Sequence, residues 1–233
     1  MIGNPQMEKI MRSTQWLALL TLMLTGATAV AEDLPSNALT RAELIPIGWQ
    51  LEAEASADFD ADGRQDVGMV LAGSGLDLTD ESQTLVGPRQ LVIAFGAENG
   101  YDRVINNSQF IPPADNPTMD DVFDASSDAL RVSDGNLVLE LWLFSSAGGW
   151  DMGRKTFTFR WRDGAFALVQ FDQSNVDRGT GELTLTSADY ATGTIEIRHG
   201  SIENDEETIE TKPLSSDRDV TLDDIVDGMS FDP

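Results

Sequence analysis

Asp58-Phe59-Asp60-Ala61-Asp62-Gly63-Arg64-Gln65-Asp66 spaces four carboxylates along one short stretch and sets a glycine among them. Alternate side chains of such a loop point inward and offer hard oxygen donors. A loose cage of six to eight oxygens is what calcium takes. Asp58, Asp60 and Asp62 fall at positions 1, 3 and 5 of the loop. The backbone carbonyl of Arg64 falls at position 7 and Asp66 at position 9. Gly63 stands at the sharp turn, where a residue without Cβ bends at least cost. The expected metal donors are therefore Asp58, Asp60, Asp62, Arg64 and Asp66, and the expected ion is calcium. The competing reading is an acidic, solvated turn, since Asp and Gly are common in turns.

The flanks decide what the loop connects. An EF-hand would join two helices and place a bidentate Glu at position 12, where this chain has Met69. Gln50 to Ala57 instead alternates, with Leu51, Ala53, Ala55 and Ala57 on one side and Glu52, Glu54 and Ser56 on the other. That is strand periodicity. Val67 to Ala72 is a short apolar run closed by Gly73, again a strand pattern. Downstream stand Leu91-Val92-Ile93-Ala94-Phe95 and the Asn99-Gly100 pair.

On these residues the stretch from Trp49 to Val104 resembles one FG-GAP/VCBS repeat: strand, Asp-rich loop, strand, hairpin. The resemblance implies a four-stranded, propeller-type blade whose aspartates hold calcium, with Asp58, Asp60, Asp62 and Asp66 as side-chain ligands. Ala57 and Ala61 replace glycines usual in that family, and only one copy of the loop occurs, whereas propellers repeat it. Gly135 to Trp161 is similar, more loosely, to uncharacterised exported bacterial proteins with a single repeat.

Charge and the N-terminus narrow the setting. The 233 residues carry 15 Lys and Arg against 40 Asp and Glu, a formal net charge of −25. Nucleic acid and anionic membranes are repelled by such a field, while cations and basic proteins are drawn to it. Lys9 and Arg12 precede an apolar run, Trp16 to Leu24, and then Ala29-Val30-Ala31. This is the three-part pattern of a cleaved export signal over residues 1–31, too short in its apolar core to span a membrane. The expected setting is periplasmic or secreted. Without cysteine, neither a lipid anchor nor a disulfide framework is available.

Beyond a polar leader, 32–43, a β-rich domain is expected over 44–214, with an acidic tail over 215–233. Phe157, Phe159 and Trp161 alternate with Thr158, Arg160 and Arg162, and Asp163-Gly164 follows as a tight-turn signal. Thr221 opens one helical turn. The fold expectation is all-β, antiparallel hairpins in a meander, propeller-like with one recognisable blade. No nucleophile elbow, zinc-protease or phosphate-loop motif is present, and His199 has no evident partner. Trp142 and Trp161 lie in strand patterns and read as core. Trp150, in a Gly-Gly-Trp-Asp turn, reads as an exposed contact for a sugar or peptide. The expected function is a non-enzymatic calcium-binding module that binds a protein or glycan. The alternatives are a secreted hydrolase using two facing carboxylates and an acidic inhibitor of a basic enzyme.

Overall fold

A computed structural model describes residues 34–73, 87–113, 121–144, 150–214 and 220–233. The expected export signal, most of the Gly73–Pro88 connection, the end of the proline-rich stretch, the expected turn at Gly148-Gly149 and the start of the expected acidic tail lie outside them. The fold is all-β. Two antiparallel sheets carry it, one of five strands and one of seven. Among the described residues they form two layers and no ring of blades.

The first sheet contains β1 (Asn37–Ala38), β2 (Trp49–Ala57), β3 (Asp66–Gly73), β4 (Arg89–Ala97) and β5 (Gly100–Asn107). Its order is β1-β5-β4-β3-β2, so the stretch that resembles one repeat is a plain four-stranded meander with β1 added at its far edge. The second sheet runs in chain order from β6 (Leu130–Ser133) through β7 (Asn136–Phe144), β8 (Asp151–Arg162), β9 (Ala165–Asp177), β10 (Glu182–Asp189) and β11 (Thr194–Ser201) to β12 (Asn204–Pro213). Asp163 and Gly164 both adopt positive φ, 52° and 83°, the turn geometry whose twist matches a right-handed hairpin.

Apolar faces of both sheets meet in one core. Ala55, Val70, Leu91 and Ile93 from the first sheet pack with Leu137, Leu139, Phe157, Phe159, Phe166 and Phe171 from the second. Gly68 allows a close approach: a Cβ there would sit 3.2 Å from Leu137 Cδ1. A smaller cluster covers the opposite face of the first sheet, where Leu34, Ala38 and Leu44 pack on Met69, Leu71 and Val92. The expected polar leader thus contributes β1 and two buried apolar side chains. The last residues also dock, since Leu222 and Ile225 are buried and Phe231 packs edge-on against Phe157 and Phe171. Thr221 and Asp224 cap the last of three short 3₁₀ segments among the described residues, Leu222–Asp224, reciprocally.

A bulge in β2 makes one further connection. The β2–β3 register shifts between Leu51 and Ala53, which leaves Leu51 44% exposed, against the alternation expected for it. Bulges re-aim side chains. Here the extra residue, Glu52, meets Arg89 of β4 with Nε and Nη2 donating at 2.8 and 2.7 Å. Arg89 also donates to both oxygens of Asp121 and lies 5.6 Å from the Phe123 ring centroid. Only 3% of Arg89 is exposed. Burial works against its charge, but the two carboxylates outweigh that and raise its pKa. One guanidinium therefore ties the first sheet to the segment that enters the second. Arg89→Met, which keeps volume and removes charge, is expected to cost about 1–2 kcal/mol by leaving two partly solvated carboxylates without their partner. Urea denaturation checks this, and an unchanged midpoint would show the clamp to be energetically idle.

Candidate metal centre

β2 and β3 pair down to Ala57 and Asp66, so residues 58–65 form a hairpin loop, held at both ends by the ladder. Strands, not helices, flank it. Within it, carboxylates collect backbone N–H groups in place of water. Asp58 Oδ1 accepts from Asp62 N at 3.0 Å and Oδ2 from Gly63 N at 2.9 Å. Asp60 Oδ1 also accepts from Asp62 N, at 3.1 Å. Gly63 has φ 89°, as its place in the turn requires. Ala61 has φ 62°, a left-handed conformation that alanine adopts only under strain.

Asp66 is the most deeply placed of the four acids, with no exposed surface. Its Oδ2 accepts from Phe59 N at 2.7 Å and its Oδ1 from Gly96 N at 2.8 Å. Burial pushes its carboxyl above the ordinary carboxylate range. The N–H groups of Gly96 and Phe59 pull it part of the way back, and the nearby Asp60 charge adds to the rise. Gly96 is needed for this approach, since a Cβ there would lie 2.7 Å from Gln65 O.

Asp58, Asp60 and Asp66 each offer a carboxylate oxygen within 4.8 Å of the other two. Two ligands on one calcium, each 2.3–2.6 Å from it, stand at most about 5 Å apart. The three acids fit a shared ion on that test. Asp62 is turned elsewhere: Oδ1 accepts from Arg64 N at 2.8 Å, and Oδ2 pairs with the Arg64 guanidinium. The Arg64 N–H and its charge hold the Asp62 carboxyl below its usual range. Of the five expected donors, then, three side chains converge, while Asp62 and Arg64 bind each other through side chains. The Arg64 carbonyl is not engaged by that pairing.

No family model, curated protein or solved structure matches the chain. The site therefore rests on its own chemistry.

Elsewhere the tryptophans divide differently from expectation. Trp161 packs against Phe95, with ring centroids 4.8 Å apart, and against Phe166. Trp150 is 64% exposed. Trp142, expected in the core, is instead 37% exposed. It belongs to the face of β7 that looks away from the first sheet, because Leu137, Leu139 and Leu141 take the inward positions. His199 is exposed on β11, 3.3 Å from Thr184 Oγ1. Among the described residues no helix is long and apolar enough to cross a membrane.

Proposed function

We propose that this chain is an exported, calcium-binding β module without catalytic activity, whose ion stiffens the first turn of an FG-GAP/VCBS-like unit and whose surface engages a partner. The observation that carries this reading is the convergence of Asp58, Asp60 and buried Asp66 on one point at the end of the β2–β3 hairpin. Three like charges so close repel one another, and a divalent cation converts that repulsion into attraction. Asp66 is bonded to Phe59 in the loop and to Gly96 in β4, so a cation on its carboxylate also steadies the β2–β3–β4 register. Asp62 and Arg64 shape the loop through their mutual pairing and leave the Arg64 carbonyl as a neutral donor.

Exported calcium modules commonly bind at about 10⁻⁴ to 10⁻³ M. Calcium at a hundred times its dissociation constant stabilises the folded state by about 2.7 kcal/mol. The expected result is a higher melting temperature in calcium than in chelator, and no difference between the two for Asp60→Ala. Equal wild-type melts in both conditions would remove the proposal.

A further inference from the structure

The outer face of the seven-stranded sheet, which looks away from the shared core, carries a transverse row of aligned residues. By register Trp142 of β7 stands beside Arg154 of β8, then Ser174 of β9, Leu185 of β10 and Arg198 of β11. At about 4.8 Å per strand the row is about 19 Å long. A groove of about 330 Å³ opens along it, with Thr156, Asp172, Ser187 and Glu196 from the adjoining row also lining it. That volume lies within the range of small-ligand sites.

The chemistry of this row is of one kind. At one end stands Trp142, under the Arg154 guanidinium at 5.5 Å. Trp150, whose indole rests against Gly179, stands off the row, four residues before Arg154 in the chain. Along the groove, donors and acceptors alternate and are already oriented. Asp172 Oδ1 accepts from Ser187 Oγ at 2.7 Å and from Gln170 Nε2 at 3.0 Å, so neither bond uses Oδ2. Arg198 Nε is held by Glu196 Oε1 at 2.7 Å. Planar guanidinium and carboxylate groups bind neighbouring hydroxyls two at a time, and aromatic planes accept the apolar C–H face of a pyranose ring.

We propose that this row binds an extended, neutral oligosaccharide or polysaccharide chain, with Trp142 as the stacking platform and Arg154, Asp172, Ser187 and Arg198 as hydroxyl partners. Charge selects the class. Two arginines and two acids in the groove cancel, while the whole chain stands at −25. A uronate or sulfate polymer is repelled by that field, and a polycation is drawn to the acidic surface around the groove. The site is separate from the Asp58–Asp66 loop and needs no ion there.

Native electrophoresis through gels containing mixed-linkage β-glucan, xyloglucan, galactomannan or dextran, run in chelator, tests it. Alginate serves as the anionic control. The wild type is expected to be retarded in at least one neutral gel and not in alginate. Trp142→Ala is expected to weaken the retardation at least tenfold while still melting cooperatively, and Trp150→Ala, off the row, to leave it unchanged. Free migration in all four neutral gels overturns the proposal. So does retardation that Trp142→Ala retains, or retardation in alginate alone. Self-association in sedimentation that Trp142→Ala abolishes would give the face to a second copy of the chain and overturn it as well.

Discussion

Phe59→Ala is expected to cost the fold about 3–4 kcal/mol, the range for emptying a phenylalanine-sized space in a packed core, and to weaken calcium binding at the same time. Phe59 stands between the first two carboxylates of the loop, yet its side chain is buried. It meets Phe166 of the second sheet edge-on, with centroids 5.7 Å apart, and Phe166 in turn meets Phe95 and Trp161. The loop is therefore fastened at two points: at the carboxylate end by Asp66, and at the aromatic end by a cluster that belongs to both sheets. Removing the ring frees the segment that carries Asp58 and Asp60, so the ligands must be ordered when the ion arrives. Urea denaturation in chelator reads the first effect and calcium titration the second. Phe59→Leu, which still fills most of the space, should recover the greater part of both. If Phe59→Ala lost stability but kept full calcium affinity, the loop would be ordered by its backbone bonds alone.

Asp66→Ala has the second largest expected effect, about 2–3 kcal/mol in chelator. It leaves the N–H groups of Phe59 and Gly96 buried without an acceptor, and each such loss costs about 1–3 kcal/mol. Part of that cost is offset because a buried ionised carboxylate disappears with it. The pH dependence separates the two contributions. The folded Asp66 carboxyl lies above its unfolded value, so the folded state holds the proton more tightly across the interval between them. Stability of the calcium-free wild type should accordingly fall as pH rises through that interval, and Asp66→Ala should lack that slope. With calcium the sign reverses, because the ion requires the ionised form and competes with the proton. Asp60→Ala, by contrast, should change stability little in chelator while abolishing the calcium response. Identical pH profiles for wild type and Asp66→Ala would contradict the burial argument.

The loop and its two strands were legible in the chain itself, because alternation on one side, an apolar run on the other and Asp-Gly at the turn all agree. The same holds for β8 and β9, where Phe157, Phe159 and Trp161 alternate up to Asp163-Gly164. Long-range pairings were not legible. Gly96 lies thirty residues from Asp66, and nothing near it in the chain marks its N–H as a carboxylate holder. The β2 bulge is invisible to a period-two reading, which grouped Leu51 with Ala53, Ala55 and Ala57 on one side, whereas Leu51 is exposed and Ala55 buried. Trp142 was misplaced for a related reason. Leu137 to Phe144 is apolar at nearly every position, so alternation does not show which side faces the other sheet. Four spaced aspartates also read as four equal ligands. Only the geometry shows Asp62 drawn to Arg64, where a neighbouring guanidinium and N–H attract it and the other carboxylates repel it.

Titration calorimetry of calcium into the metal-free protein tests the reading of the loop most directly. One site should appear, with a dissociation constant of about 10⁻³ M or tighter, and Asp60→Ala should give no heat at the same concentrations. A wild type that shows no heat at millimolar calcium, or an Asp60→Ala variant that binds as well as wild type, would contradict the assignment of Asp58, Asp60 and Asp66 as a calcium site.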